Sequence, residues 1–162
     1  MRPSDRRALR ELYRFCCGYC GTSEIDAGGE LTVDHFWPQS AGGSDTPDNW
    51  VYSCIICNDY KGDYWDPNSL SRILHPQRDL LTEHIREEEG VLVALTDTGR
   101  FHIQRLRLNR PQLVAQRQRS RELQRIRERL ARLEEENAAL RHHIQAVGEQ
   151  IDLLLEQITW RL

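Results

Sequence analysis

The most informative part of this 162-residue sequence is residues 33–63, VDHFWPQSAGGSDTPDNWVYSCIICNDYKGD. Its second half contains a Cys-x-x-Cys pair, Cys54 and Cys57, and an earlier pair is formed by Cys17 and Cys20. A thiolate pair at this spacing occupies two of the four tetrahedral positions around Zn²⁺, so two pairs complete a closed structural site. The spacing therefore predicts one zinc ion held by these four cysteines. Cys16 could replace Cys17 as a ligand, but the Gly18-Tyr19 spacer favours Cys17, so Cys16 is expected in the core. Buried free thiols and a redox-active pair are the alternatives.

The same stretch predicts a second metal site, whose oxygen ligands suit a hard divalent cation. A short strand is expected to end at Asp34 and His35, and Asn58 follows Cys57 directly where a helix is expected to open. A carboxylate and an amide oxygen suit Mg²⁺ or Mn²⁺ rather than a second zinc. His35 would then be placed to take a proton from water. With a metal and the nearby Lys61, these are the groups needed to hydrolyse a phosphodiester.

These residues resemble the HNH endonuclease family, a ββα-metal finger, in its HNN variant. The shared pattern is Asp-His, a Pro and a Gly-Gly pair, an Asn fourteen residues after the histidine, and then Cys-x-x-Cys-Asn-x-x-Lys-Gly. Together with the zinc cysteines the resemblance covers residues 15–63, and a weaker similarity continues through 74–116. The sequence departs from the namesake pattern at Asn58, which replaces the second histidine. That substitution occurs within the family and bears on metal preference.

The resemblance implies a catalytic set of His35, Asn49 and Asn58. His35 would be the general base that activates the attacking water, and Asn49 would brace the loop and orient that base. Asp34 and Asn58 would hold the catalytic Mg²⁺ or Mn²⁺ at the scissile phosphate. Lys61, the only lysine in the chain, matches a position that contacts phosphate.

Charge is distributed unevenly along the chain. Residues 1–69 contain 6 basic and 11 acidic side chains, whereas residues 100–132 contain 11 arginines and only two glutamates. A basic segment of this kind favours a polyanionic partner, which we expect to be DNA and which could also be RNA, although solvated Arg/Glu helices look similar. The nucleic-acid contacts expected from the sequence are Lys61, Arg105, Arg107 and Arg110.

The remaining elements follow from local patterns. A helix is predicted over residues 4–16 with Ser4 as its N-cap, and a second short strand over 50–53. Alternation predicts a hairpin in which strands 91–96 and 101–106 flank Asp97-Thr98-Gly99. The fold class is α+β: a small zinc-stapled ββα-metal domain with a short β-hairpin extension and a long C-terminal α-helical coiled coil. The corresponding segments are residues 1–69, 70–116 and 117–162.

From about Ser120 the apolar residues follow the 3-4 spacing of a coiled coil. With Leu123 at position a, the one polar residue at an a position is Asn137, which in two-stranded parallel coils fixes register and dimer state. Three g–e′ pairs are attractive in a parallel homodimer: Glu122–Arg127, Arg129–Glu134 and Glu136–Arg141. The sequence therefore predicts a homodimer formed through residues 120–162. Packing of this helix on its own domain, or pairing with a different protein, are the alternatives.

Taken together, the sequence predicts a metal-dependent DNA endonuclease that dimerises through its C-terminal coil. One alternative is a non-catalytic, zinc-containing dimeric DNA-binding protein, and another is the nuclease subunit of a larger defence or mobile-element complex. No stretch approaches the roughly 18–20 apolar residues of a membrane span, and the arginine-rich start lacks the apolar core of a secretory signal. We therefore expect a soluble, cytoplasmic protein.

Overall fold

The computed structural model describes residues 2–66 and 71–159. The chain divides into two compact units, Met1–Gln118 and Arg119–Leu162. The predicted boundary at residues 69–70 lies outside the described residues. Within the described ranges, no helix is both long and apolar enough to cross a membrane. The helices are α1 (Pro3–Leu12), α2 (Glu24–Ala27), α3 (Ile55–Lys61), α4 (Leu81–His84), α5 (Asp97–Arg105) and α6 (Pro111–Thr159), and the strands are β1 (Thr32–His35), β2 (Trp50–Ser53), β3 (Ile85–Glu88) and β4 (Val91–Ala94).

The predicted ββα arrangement is present in the first unit. Strands β1 and β2 pair antiparallel with His35 opposite Trp50, and helix α3 follows β2 after a single residue. That residue is Cys54, whose sulfur accepts a hydrogen bond from the Cys57 backbone N–H and so caps the helix. Helix α3 thus begins at Ile55, three residues before the start expected at Asn58.

The hydrophobic core joins this ββα segment to the residues that follow it. Val51 and Tyr52 of β2 are fully buried, and they belong to the same apolar cluster as Leu106, Leu108 and Leu113. The first turn of α6 is therefore part of the core of the first unit. Burial of apolar side chains from both segments stabilises them together, at about 25 cal/mol for each Å² of apolar surface removed from water.

The first helix is shorter than the sequence predicts. Helix α1 ends at Leu12 instead of residue 16, because Arg14 and Phe15 adopt positive φ angles of 52° and 59° that no right-handed helix can contain. Its N-cap is Arg2 rather than the expected Ser4. Cys16, expected in the core, is only half-buried and pairs with Ser23 in an isolated β-bridge.

The second hairpin is present but lies earlier in the chain than predicted. Strand β4 falls within the predicted strand 91–96, but its partner is β3, which precedes it in the chain. The turn between the two strands contains Glu89 and Gly90, and Gly90 has a φ of 85°. The segment expected to form the second strand is helix α5. Thr96 caps that helix by accepting a hydrogen bond from the Gly99 N–H. Gly99 is needed for packing and not for a turn, since a Cβ there would lie 2.1 Å from the His84 carbonyl oxygen.

Helix α6 confirms the long C-terminal helix and begins before residue 120, at Pro111. Proline is well suited to a first helical position because its missing N–H would have no partner there. Along residues 119–156 the apolar side chains of the predicted seam are exposed in the single chain: Leu123, Ile126, Leu130, Leu133, Leu140, Ile144, Val147, Ile151 and Leu154. The side chain of Ile158, the next seam position, lies outside the described residues. The mixed α+β class is confirmed by these elements.

Candidate active site and zinc centre

The four cysteines of the two Cys-x-x-Cys pairs form one cluster. Their sulfur atoms all lie within 4.8 Å of one another, and those of Cys20 and Cys54 are 3.7 Å apart. A tetrahedral zinc site with Zn–S bonds of about 2.3 Å separates its sulfurs by about 3.8 Å. The donor set and its spacing therefore fit Zn²⁺, and Cys17 rather than Cys16 completes the cluster, as predicted.

Hydrogen bonding within the cluster shifts the pKa values of all four thiols. Bonds from Cys17 lower the pKa of the Cys20 thiol and bring the pKa of Cys54 down to about 7. Bonding to Cys20 raises the pKa of Cys17, and bonding to Cys17 raises the pKa of Cys57. A metal requires the thiolate form, so zinc binding would displace the protons that the four thiols still carry.

One of the arginines expected to contact nucleic acid lies against this cluster. The Arg110 guanidinium is 3.8 Å from the Cys57 sulfur and 4.0 Å from the Cys20 sulfur, and it is half-buried. Four thiolates around a divalent cation leave an excess of negative charge, which a neighbouring guanidinium offsets. Arg110 is therefore placed to support the zinc centre, and it anchors the start of α6 there.

The residues expected to hold the catalytic metal and to activate water share one cleft. The cleft has a volume of about 510 Å³ and is lined by Asp34 and His35 from the end of β1 and by Asn58 from α3. Lys61 and Asp63 line it as well. Asn58 follows Cys57 on α3, so the helix that begins at the cysteine cluster also carries a lining residue of the cleft.

Asp34 is a buried carboxylate in this cleft, with a relative exposure of 5%. One carboxylate oxygen accepts a hydrogen bond of 2.5 Å from the Tyr19 hydroxyl, and the other accepts one of 2.9 Å from the Lys61 ammonium. Burial raises the pKa of Asp34, and the charge of Lys61 acts against that effect. An ionised carboxylate offers about four lone-pair directions, so two remain for a metal ion.

Lys61 differs from its expected role as a phosphate contact. Its side chain is 1% exposed, and its ammonium bonds to Asp34 and, at 2.8 Å, to the His35 carbonyl oxygen. An ammonium enclosed in this way has no surface to offer a phosphate. It compensates the buried charge of Asp34 and ties α3 to the end of β1.

His35 has a partner that the motif does not include. Its Nε2 lies 2.8 Å from a carboxylate oxygen of Asp45, and the same oxygen accepts a hydrogen bond of 2.9 Å from the indole N–H of Trp50. Contact with His35 lowers the pKa of Asp45, so this carboxylate is ionised and can only accept. Nε2 of His35 therefore donates to this carboxylate, which leaves Nδ1 as the ring nitrogen that can accept a proton.

Asn49 bonds across the loop between β1 and β2. Its side-chain amide accepts from the Trp37 N–H and donates to the carbonyl oxygens of Trp37 and Ser44, each at 2.8 Å. Its own backbone carbonyl oxygen accepts from the Phe36 N–H. The side chain thus fixes the loop that carries Asp45, the partner of His35.

Arg105 and Arg107, the other expected nucleic-acid contacts, are exposed. The Arg105 guanidinium donates to the Lys61 carbonyl oxygen at 2.9 Å and lies over the Tyr64 ring. Arg107 lies over the ring of Tyr60 at 4.7 Å. Both cations are thus held by aromatic rings of the segment that follows the zinc cysteines.

Residues 17–64 match the family model of the HNH endonucleases. No curated protein and no solved structure gives a match to the chain. The chain therefore carries an HNH endonuclease domain at residues 17–64, with four cysteines placed as in the zinc-stapled members, and the resemblance seen in the sequence is confirmed. This domain supports a nuclease-type role for the protein.

Two residues of the site are not found from the sequence. Asp45 lies in a polar loop among Ser and Thr, and no pattern distinguishes it from the other acidic residues there. Tyr19 stands between the first two cysteines, where its contact with Asp34 depends on how the cysteine turn packs against β1. Both contacts arise from the tertiary fold and leave no local signal.

Proposed function

We propose that the protein is a metal-dependent endonuclease that hydrolyses phosphodiester bonds in DNA. The observation that carries the proposal is the shared cleft of Asp34, His35 and Asn58, which is built onto the cysteine cluster within the HNH domain. The donor chemistry supports a hard divalent cation: Asp34 has lone pairs left over from Tyr19 and Lys61, and Asn58 adds an amide oxygen. Such a cation would stabilise the charge on the scissile phosphate and on the departing 3′-oxygen.

In this proposal His35 is the general base. Asp45 holds Nε2–H, so Nδ1 accepts the proton of the attacking water, and the imidazolium that forms is stabilised by the same carboxylate. Trp50 keeps Asp45 in place from the opposite strand of the hairpin. Asp45 is thus a positioning residue, which sets both the tautomer and the orientation of the base.

In this proposal exposed arginine side chains near the cleft bind the phosphates of DNA. Arg105 contacts the backbone of Lys61, a residue of the cleft lining, and Arg107 follows just beyond the end of α5. Guanidinium groups that bind phosphates give affinity without sequence readout, and they make binding strongly dependent on salt. We expect the affinity for DNA to fall steeply between low and physiological salt.

We further propose that residues 120–162 form a parallel two-stranded coiled coil with a second copy of the chain. The exposed seam of helix α6 would leave a long apolar stripe in water, and the g–e′ charges of two identical helices complement each other. In the single chain the Asn137 amide donates to the Leu133 carbonyl oxygen, leaving its own oxygen for a partner. Two joined nuclease domains would be able to cut both strands.

Light scattering at micromolar concentration tests the dimer. We expect the mass of two chains, and we expect Asn137→Ile to broaden the distribution toward larger oligomers because the a-position amide no longer selects two strands. Arg132→Gln, at an outer position of the same helix, is the matched control and should leave the mass unchanged. A monomer mass for the unaltered chain would contradict the proposal.

Cleavage of supercoiled plasmid tests the nuclease itself. With zinc-loaded protein and added Mg²⁺ or Mn²⁺, we expect nicked or linear product that is lost in His35→Ala and when the added metal is omitted. His142→Ala, on the exposed C-terminal helix, is the control and should cleave like the unaltered chain. Full activity in His35→Ala would refute the assignment of the base, and binding without any cleavage would favour the non-catalytic alternative.

A further inference from the structure

A second cavity lies beside the cleft and shares none of its lining residues. It has a volume of about 220 Å³, and its walls include Phe36, Trp65 and His75. Phe36 directly follows His35 in the chain, and consecutive Cα atoms are only about 3.8 Å apart. Tyr64 of the cavity likewise follows Asp63 of the cleft, so the two sets of lining residues adjoin at two points of the chain. The volume of the cavity is below the roughly 300–1,000 Å³ of pockets for drug-sized ligands, which suits a single heterocycle.

His75 is a lining residue of this cavity, and its ring has one buried nitrogen without a partner among the described residues. The residue is 4% exposed, and its Nδ1 accepts a hydrogen bond of 3.2 Å from the Gln77 N–H. The ring is neutral near pH 7, because burial lowers the pKa of His75 to about 4. Nε2 therefore carries the proton. This buried N–H has no hydrogen-bonding partner among the described residues, and a buried donor without a partner is costly.

The aromatic walls are held in place. Trp65 meets the Phe36 ring edge-on at 5.4 Å and stacks on Trp37, also at 5.4 Å with 14° between the ring planes. The Trp37 indole N–H in turn donates to the Ala41 carbonyl oxygen. A flat heterocycle would meet surfaces that are already ordered, so little side-chain entropy would be lost on binding.

The lining of the cavity contains two arginines and two aspartates. Arg78 is an exposed lining residue whose guanidinium bonds to the Asp48 carbonyl oxygen. The lining also contains Asp66 and an ion pair in which Arg72 is held by both oxygens of Asp79, at 2.7 and 2.8 Å. The charges of the lining balance, so the features that point to a ligand are the aromatic wall and the neutral donor, which match the ring and the acceptor atoms of a nucleobase.

We propose that this cavity binds one unpaired nucleobase of the nucleic acid whose phosphodiester occupies the neighbouring cleft. The inference rests on the proposed nuclease function and adds a substrate class to it: DNA that is single-stranded or locally open at the cleavage site. Trp65 provides the aromatic contact, and Nε2–H of His75 donates to a carbonyl oxygen or ring nitrogen of the base. A base within a regular duplex has its edge paired and its faces stacked, so it cannot enter.

Binding of three DNA duplexes tests the proposal. One carries a single bulged nucleotide, the second an abasic site at the same position, and the third is fully paired. Affinity is measured by fluorescence anisotropy with the zinc-loaded full chain and without added Mg²⁺ or Mn²⁺. We expect the bulged base to bind about tenfold more tightly than the abasic site, as is typical for a base stacked on an aromatic side chain.

Matched variants at His75 separate the effect of its N–H donor on base binding from its structural role. His75→Asn retains an acceptor for the Gln77 N–H but has no donor at the position of Nε2, so the preference for the base should fall severalfold. The longer side chain of His75→Gln returns an N–H donor there and should recover part of the preference, whereas Trp65→Leu should lose it. His84→Asn, at a histidine outside the cavity, should keep the full preference. Zinc content and circular dichroism verify that each variant is folded.

Equal binding of the bulged and abasic duplexes by the unaltered chain would overturn the proposal, as would full preference in both His75→Asn and Trp65→Leu. Plasmid cleavage, measured in parallel, separates a failure of the base-binding proposal from a failure of the nuclease proposal. Cleavage without base preference would refute base binding by the cavity but would not contradict the nuclease function. Base preference without cleavage under any added metal would support the cavity and refute the nuclease.

Discussion

Replacing Lys61 by methionine should destabilise the protein far more than loss of a surface lysine would. The ammonium is 1% exposed and bonds to Asp34 at 2.9 Å and to the His35 carbonyl oxygen at 2.8 Å. Methionine fills most of the volume but leaves the Asp34 carboxylate buried without its cation. Removing one partner of a buried ion pair costs about 3–5 kcal/mol, a large part of the roughly 5–15 kcal/mol that stabilises a typical domain.

Urea unfolding at pH 7.5 with a fixed excess of zinc measures this loss. The double variant Asp34→Asn/Lys61→Met should recover part of the stability, since neither charge then remains buried alone. A Lys61→Met variant that unfolds within about 1 kcal/mol of the unaltered chain, yet binds DNA weakly, would refute the reasoning. Lys61 would then be the phosphate contact that the sequence motif implies.

Further predictions concern the partner of the proposed base, the zinc centre and the two buried histidines. Asp45→Asn should lower kcat for plasmid cleavage about 10–100-fold with little change in KM, while Asp48→Asn, in the same loop, should not. Removing zinc with a chelator should unfold the first unit, which circular dichroism and its recovery on adding zinc would show; a chelated chain that stays folded would contradict the zinc centre. Burial lowers the pKa of His75 and of His102 to about 4, so below pH 6.5 the unfolded chain takes up protons that the folded one does not. Each histidine should therefore lower the free energy of unfolding by about 1 kcal/mol per pH unit between pH 6.5 and 5.5, and His102→Asn should remove its share of that slope.

The sequence predicts best those features that depend on spacing. Cysteine spacing identifies the zinc cluster, and the order Asp-His, Asn, Cys-x-x-Cys-Asn identifies the ββα segment, because both patterns express local geometry. The 3-4 spacing after residue 120 likewise identifies the long helix. The second hairpin is predicted too late in the chain because residues 101–106 alternate acceptably as a strand. The buried positions Thr98, Gly99, His102 and Ile103 instead follow the period of helix α5.

Tertiary contacts within the site could not be predicted in the same way. Lys61 belongs to the motif, but only the fold shows that its ammonium lies against Asp34 and away from solvent. Arg110 is one of many arginines in the sequence, and its contact with the cysteine sulfurs depends on the turn between α5 and α6. Asp45 reaches His35 from ten residues further along the chain. Such contacts depend on chain reversal and packing, which leave no periodic signal.

Chemical rescue of a His35→Gly variant tests the central claim most directly. Single-turnover cleavage of a labelled DNA substrate is measured with Mn²⁺, with and without added imidazole. We predict that the variant is slower by a factor of about 10²–10⁴ and that imidazole restores part of the rate, since it replaces the missing general base. A variant that cleaves as fast as the unaltered chain, or an unaltered chain that cleaves no DNA with any divalent metal, would contradict the account.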